Sequence, residues 1–137
     1  MFRIYPAFTM KKIFLIDDDG DDREIFRSAL DLLDTKVEYM EAKDGQEGLE
    51  MFAADNFVPP DLLFVDLNMP RVNGLEFVIR LKQIPHYQNI PIYMYTTSAS
   101  PNERVNAMTA GATGYIIKHV RYNDLAIELN GLISKLR

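Results

Sequence analysis

The chain has 137 residues, 47% of them hydrophobic and 26% charged, which is the size and balance of one globular domain with a real core. It contains no cysteine, which excludes a disulfide framework and thiolate metal sites and fits a reducing cytoplasm. A formal charge of −5 without a Lys/Arg cluster argues against nucleic acid as a partner; apolar runs as short as Ile13–Ile16 and Leu62–Val65 exclude a membrane span, and Met1–Met10 lacks the small-residue cleavage site of a signal peptide.

Short apolar runs alternate with amphipathic stretches along the chain. Lys12–Ile16 reads as a buried strand, and Asp21–Leu33 as a helix with Ile25, Phe26, Ala29, Leu30 and Leu33 on one face. Lys36–Met40 is a strand, Gln46–Ala54 a helix with Leu49 and Phe52 inward, and Leu62–Val65 a strand after the punctuation of Pro59-Pro60. Gly74–Gln83 is a helix showing Leu75, Val78 and Ile79 to the core, and Pro91–Tyr95 a strand. Pro101–Ala110 is a helix opened by Ser100-Pro101-Asn102-Glu103, a capping box with proline at the first helical position. Gly114–Ile117 is a strand, and Asp124–Leu136 a helix with Leu125, Leu129, Leu132 and Leu136 at helical spacing.

Five strands in strict alternation with five helices imply an α/β fold, with parallel strands, right-handed crossovers and helices on both faces. Near-continuous apolar strands agree, because both faces of such a sheet are buried. The expected division is an N-terminal extension, 1–10, dispensable for stability, and one domain, 11–137, whose last helix ends the chain with nothing left for an output domain.

Ligands of open parallel sheets sit beyond the carboxyl ends of the strands. The residues there are Asp17, Asp18 and Asp19 after the first strand; Asp66, Leu67, Asn68, Met69 and Pro70 after the third; Thr96, Thr97 and Ser98 after the fourth; and Lys118 after the fifth. Clustered carboxylates repel and raise one another's pKa. A divalent cation with a preference for hard oxygen ligands, Mg²⁺, relieves that repulsion, and Lys118 supplies a second positive charge. A carboxylate so placed can attack phosphorus to form an aspartyl phosphate. Asp21 and Asp22 read as first-turn acids that complement the helix dipole, so replacing Asp22 should leave metal binding unaffected. Asp19 stands between the two readings. His86 and His119 read as surface histidines.

The segments Ile16-Asp17-Asp18-Asp19, Val65-Asp66-Leu67-Asn68-Met69-Pro70, Tyr95-Thr96-Thr97-Ser98 and Gly114-Tyr115-Ile116-Ile117-Lys118 together resemble the response-regulator receiver domain, from about Lys11 to the end of the chain. The resemblance implies a flavodoxin-like five-stranded parallel sheet of order 2-1-3-4-5. It implies a single-domain regulator in a two-component phosphorelay: a signalling domain rather than an enzyme, taking a phosphoryl group from a histidine kinase or phosphotransfer protein and signalling to a downstream protein through the fourth helix, fifth strand and fifth helix. Asp66 then matches the phosphoacceptor, Asp18 the direct metal ligand, Asp17 the ligand acting through water, and Asn68 the backbone carbonyl on the metal. Thr96 and Tyr115 match the switch pair, Lys118 the phosphoryl-contacting lysine, and Asn68 and Ser98 the positions that tune phosphoryl lifetime.

One residue departs from the pattern. The family usually has a cis proline after the lysine, and this chain has His119. A cis bond before a non-proline residue costs about 2.5–4 kcal/mol, so a trans Lys118–His119 peptide is expected. Two alternatives compete with this reading. Asp17-Asp18-Asp19-Gly20 also resembles the start of haloacid-dehalogenase-type phosphatases, with Asp17 as nucleophile and Asp19 as general acid. That reading lacks the further acidic pair after the lysine strand and leaves Asp66 unused. A degenerate receiver used only for docking would not need the full acidic set.

Overall fold

In a computed structural model, which describes residues 10–136, the apolar runs become β1 (Lys11–Ile16), β2 (Val37–Ala42), β3 (Leu62–Val65), β4 (Ile92–Thr96) and β5 (Gly114–Ile117). The amphipathic stretches become α1 (Gly20–Leu30), α2 (Gly45–Ala53), α3 (Gly74–Lys82), α4 (Pro101–Ala110) and α5 (Tyr122–Ile133). The expected extension lies outside the described residues up to position 9. The sheet is parallel throughout, as the alternation of elements implied, and in the order β2-β1-β3-β4-β5 that the resemblance implied.

The strand pleat divides the core in two. Phe14, Ile16, Leu63, Val65 and Met94 face a layer that includes Phe52, Phe77, Val78, Leu81 and Ala107. Their neighbours Ile13, Leu15, Leu62, Phe64 and Tyr95 face Phe26, Ala29, Leu125, Ala126 and Leu129. Both faces are apolar because both are covered, which is why the strands read as continuous rather than alternating runs.

Boundaries shift where tertiary pairing overrides local pattern. β2 runs on to Ala42, because β1 pairs with it in register as far as Ile16 opposite Ala42. α1 and α5 end earlier than their apolar spacing suggests. Their last turns tighten into i→i+3 bonds, Leu33 N–H to Leu30 and Leu136 N–H to Ile133, a common way to satisfy the final carbonyls of a helix. Ile79 does not face the core: it is 43% exposed, while Phe77, Val78 and Leu81 fill that face of α3. Gly74 sets this rotation. A Cβ there would sit 2.3 Å from the Asp66 carbonyl oxygen, so only glycine lets the start of α3 press against the end of β3.

Candidate functional site

The sheet order puts the ends of β1, β3 and β4 side by side, with β5 at the rim. At the end of β1, the Asp17 N–H donates to Ala42 and, at the end of β3, the Asp66 N–H donates to Ile16, so the sheet ladder runs directly into both carboxylate-bearing residues. Asp17 is completely buried and Asp66 is 5% exposed. Asp18 is exposed beside them, and carboxylate oxygens of Asp17, Asp18 and Asp66 all lie within 4.8 Å of one another. The Asn68 N–H donates to Asp66 Oδ1 at 3.4 Å, which turns the chain after β3 back over that carboxylate.

Lys118 follows β5, held by its N–H bond to the Thr96 carbonyl at 2.8 Å. Its side chain is 6% exposed, with Nζ 2.8 Å from Asp17 Oδ2 and 3.6 Å from Asp66 Oδ1. The Asp17 contact is an ion pair of poor direction. Asp17 Oδ1 accepts the Asp19 N–H at 2.9 Å, whereas Oδ2 is buried without a directed hydrogen bond.

These surroundings set the protonation chemistry. Burial, then the neighbouring Asp17 charge, pushes the Asp66 carboxyl up to about 7. Burial also raises Asp17, despite its ion pair with Lys118. For Lys118, burial favours the neutral amine, but the bonds to Asp17 and Asp22 and the charge of Asp66 outweigh it and hold the ammonium more firmly than usual.

Thr96 is buried at the end of β4, and its Oγ1 accepts the Ser98 N–H at 3.2 Å. The Tyr115 hydroxyl donates to the Ser98 carbonyl at 2.9 Å, with the Arg104 guanidinium 5.9 Å over its half-buried ring. Thr96 and Tyr115 are therefore both tied to the backbone of Ser98.

Two residues of the site escape a reading of the sequence. Asp22, expected to be a plain first-turn acid, accepts Lys118 Nζ at 2.7 Å through Oδ2. Arg23 donates from its guanidinium to the Asp17 carbonyl at 2.8 Å and through Nε to Glu41 at 3.0 Å, bracing the loop after β1. Asp19 caps α1, accepting the N–H groups of Asp21 and Asp22. That engagement leaves it poorly suited to the general-acid role of the phosphatase alternative. His119 sits 2.6 Å from Glu128 on α5. No peptide bond among the described residues is cis, so Lys118–His119 is trans as expected, and Lys118 still reaches the acidic site.

The sequence profile of the response regulator receiver domain matches residues 13–130. The chain belongs to this family. It is 35% identical over 126 residues to response regulator MprA of Mycobacterium ulcerans (strain Agy99), covering 92% of this chain and 51% of that protein. The chain thus spans about half the length of the curated relatives it matches. Among solved structures, the phosphorylated cyanobacterial phytochrome response regulator RcpA superposes with a TM-score of 0.81 at 27% identity, over 90% of this chain and 91% of that one. The Mn²⁺-bound form of response regulator Rcp1 gives a TM-score of 0.79 at 25% identity, over 91% and 93%. No helix among the described residues is long and apolar enough to cross a membrane.

Proposed function

We propose that this receiver takes a phosphoryl group from a phosphohistidine onto Asp66 and uses it to switch a protein-binding face. One observation carries the reading: a buried carboxylate, Asp66, is flanked by two further carboxylates within 4.8 Å and by a buried ammonium at 3.6 Å. Such a set has surplus negative charge, hard oxygen donors and, in Asp17 Oδ2, a buried oxygen without a directed partner. Those features fit Mg²⁺, which Asp17, Asp18, Asp66 and the Asn68 carbonyl would hold. Bound there, Mg²⁺ supplies positive charge against the transferring phosphoryl oxygens and keeps Asp66 ionised at neutral pH. The Mn²⁺-bound Rcp1 and the phosphorylated RcpA among its structural relatives support the same reading.

In the transfer, an Asp66 oxygen forms the new P–O bond while the P–N bond to the donor histidine breaks, and the imidazole keeps the electron pair. Lys118 takes up charge on the phosphoryl oxygens. The Thr96 hydroxyl, an acceptor toward Ser98, keeps its own proton to donate to the phosphoryl group. Drawing Thr96 toward that group would break its bond to the Ser98 N–H and loosen the Ser98 carbonyl that holds Tyr115. This is how a local charge would bias a two-state element, with Ser98 as the link and Tyr115 moving inward. Ser98 and Asn68, beside the acceptor and the switch, are the positions from which phosphoryl lifetime would be tuned.

The readout face is α4, β5 and α5. Six of the eleven large apolar side chains exposed among the described residues lie on these elements or, for Val120, in the loop between β5 and α5: Val105, Met108, Ile117, Val120, Tyr122 and Ile127. The same switch serves whether that face meets a separate protein or a domain of the same polypeptide. Incubation with acetyl phosphate and Mg²⁺ should add one phosphoryl group to the wild-type chain and none to Asp66→Asn. Uptake by the variant at the wild-type rate would rule out Asp66 as the acceptor.

A further inference from the structure

Lys118 has three protons to donate and three carboxylates to receive them, and the shares are unequal. Asp22 Oδ2 lies 2.7 Å from Nζ and Asp17 Oδ2 2.8 Å, while Asp66 Oδ1 lies 3.6 Å away. The lysine cannot swing widely to reach Asp66. Its backbone is fixed to Thr96, its side chain is buried, and Nζ stands 5.4 Å from the centre of the Tyr95 ring. Contact with a phosphoryl group on Asp66 therefore requires Lys118 to weaken one of its two short contacts. Asp17 cannot yield easily, being fully buried at the end of β1 with the Lys118 ammonium 2.8 Å from its Oδ2. Asp22 stands on the first turn of α1 with its side chain 25% exposed, so water can replace the lysine there at small cost.

We infer that Asp22 is a positioning residue that holds Lys118 back from Asp66 and so restrains phosphoryl uptake. This rests on Asp66 being the acceptor. It assigns to a first-turn acid a role opposed to the rest of the site: Asp17, Asp18 and Asp66 draw cations in, whereas Asp22 draws the site's own cation away from the reacting atoms. Two consequences have opposite signs. Without the Asp22 charge, Lys118 is free to neutralise a phosphoryl group on Asp66, which speeds uptake when Mg²⁺ is saturating. The freed ammonium also competes harder with Mg²⁺ for Asp17 and Asp66, which weakens metal binding.

The test uses the full chain, acetyl phosphate as donor, and calorimetric titration with Mg²⁺ alone. Asp22→Asn should take up phosphoryl about three- to tenfold faster at saturating Mg²⁺, in the range of coupling between neighbouring charged groups, and should bind Mg²⁺ several-fold more weakly. Asp21→Asn removes the same charge from the same helical turn and should do neither. In a Lys118→Ala background, Asp22→Asn should change neither quantity. Slower or unchanged uptake in Asp22→Asn, an equal effect from Asp21→Asn, or an effect that persists without Lys118 would each overturn the inference. A wild-type chain that takes up no phosphoryl group would instead defeat the acceptor assignment, and the inference with it.

Discussion

Helix α1 carries a charge cluster on each flank, and the two are balanced differently. Toward β2, one carboxylate meets two cations: Glu41 accepts Arg23 Nε at 3.0 Å, the Arg27 guanidinium, and the Tyr39 hydroxyl at 2.8 Å. Toward β3 and β5, one cation meets three carboxylates, Lys118 against Asp17, Asp22 and Asp66, with Asp18 close by. The pKa directions follow. Burial pushes the Glu41 carboxyl up, but the bonds from Tyr39 and Arg27 prevail and hold it below the usual range, whereas Asp66 is pushed up to about 7. A cluster whose carboxylate is fully engaged by cations fastens a helix to a strand. A cluster left with surplus negative charge is a place where a cation and a phosphoryl group can be received.

Magnesium should separate the two clusters most sharply. A ligand at 100 times its Kd stabilises the folded state by about 2.7 kcal/mol. Mg²⁺ should therefore raise the thermal midpoint of the wild type, and Asp17→Asn or Asp66→Asn should lose most of that rise. Glu41→Gln should keep it. A Glu41 variant as insensitive to Mg²⁺ as the Asp17 variant would collapse the distinction. The next effect probes how tightly the acidic cluster is tied to the fold. In Gly74→Ala the new Cβ meets the Asp66 carbonyl oxygen at 2.3 Å and Leu67 Cα at 2.8 Å, backbone atoms that cannot turn aside. Urea unfolding should show a loss of about 2 kcal/mol or more, the scale of an overpacked core, and Mg²⁺ affinity should fall with it. A fully stable Gly74→Ala chain would mean that α3 can slide without disturbing Asp66.

The sheet and the gathering of Asp17, Asp18, Asp66 and Lys118 at one edge of it were legible because a doubly covered parallel sheet writes its strands as unbroken apolar runs, and the polar residues that follow those runs are brought together. Leu62–Val65 delivers Asp66, and Gly114–Ile117 leads to Lys118. Asp22 was not legible, since a first-turn acid looks the same whether it faces solvent or a lysine 96 residues away. The one available hint is geometric: a helix that follows β1 starts at the carboxyl edge of the sheet, so its first-turn acids begin beside the site. Ile79 misled for a related reason. Apolar spacing allows several rotations of α3, and the contact of Gly74 with the Asp66 backbone, which no periodicity reveals, selects one.

Titration in chelator should give the two clusters opposite slopes. An acid whose folded pKa is raised binds protons more readily when folded. The stabilisation from Asp66 is then complete below its ordinary value of 3.8 and is lost as pH rises toward about 7. Stability of the metal-free protein should fall across that window by about 1–2 kcal/mol, less than a lone group would give because Asp17 titrates with it. Asp66→Asn should flatten the fall, and a chain equally stable at both ends of the window would contradict the raised Asp66 pKa.

Glu41 has the smaller effect and the reverse sign. Its folded pKa lies below the ordinary 4.5, so its contribution is complete above that value and is lost as pH falls further through the depressed folded pKa. Arg27 and Glu41 are 46% and 30% exposed, so solvent screens the pair and the contribution should be about 1 kcal/mol or less. Glu41→Gln should therefore cost about that much at pH 7, and the difference from wild type should narrow as pH falls below 4.5. High salt should narrow it too, since the pair is partly exposed. A gap that persisted unchanged at low pH would assign the Glu41 contribution to packing and to the Tyr39 hydrogen bond rather than to its charge, and the balance of cations around α1 would no longer explain why that flank is quiet.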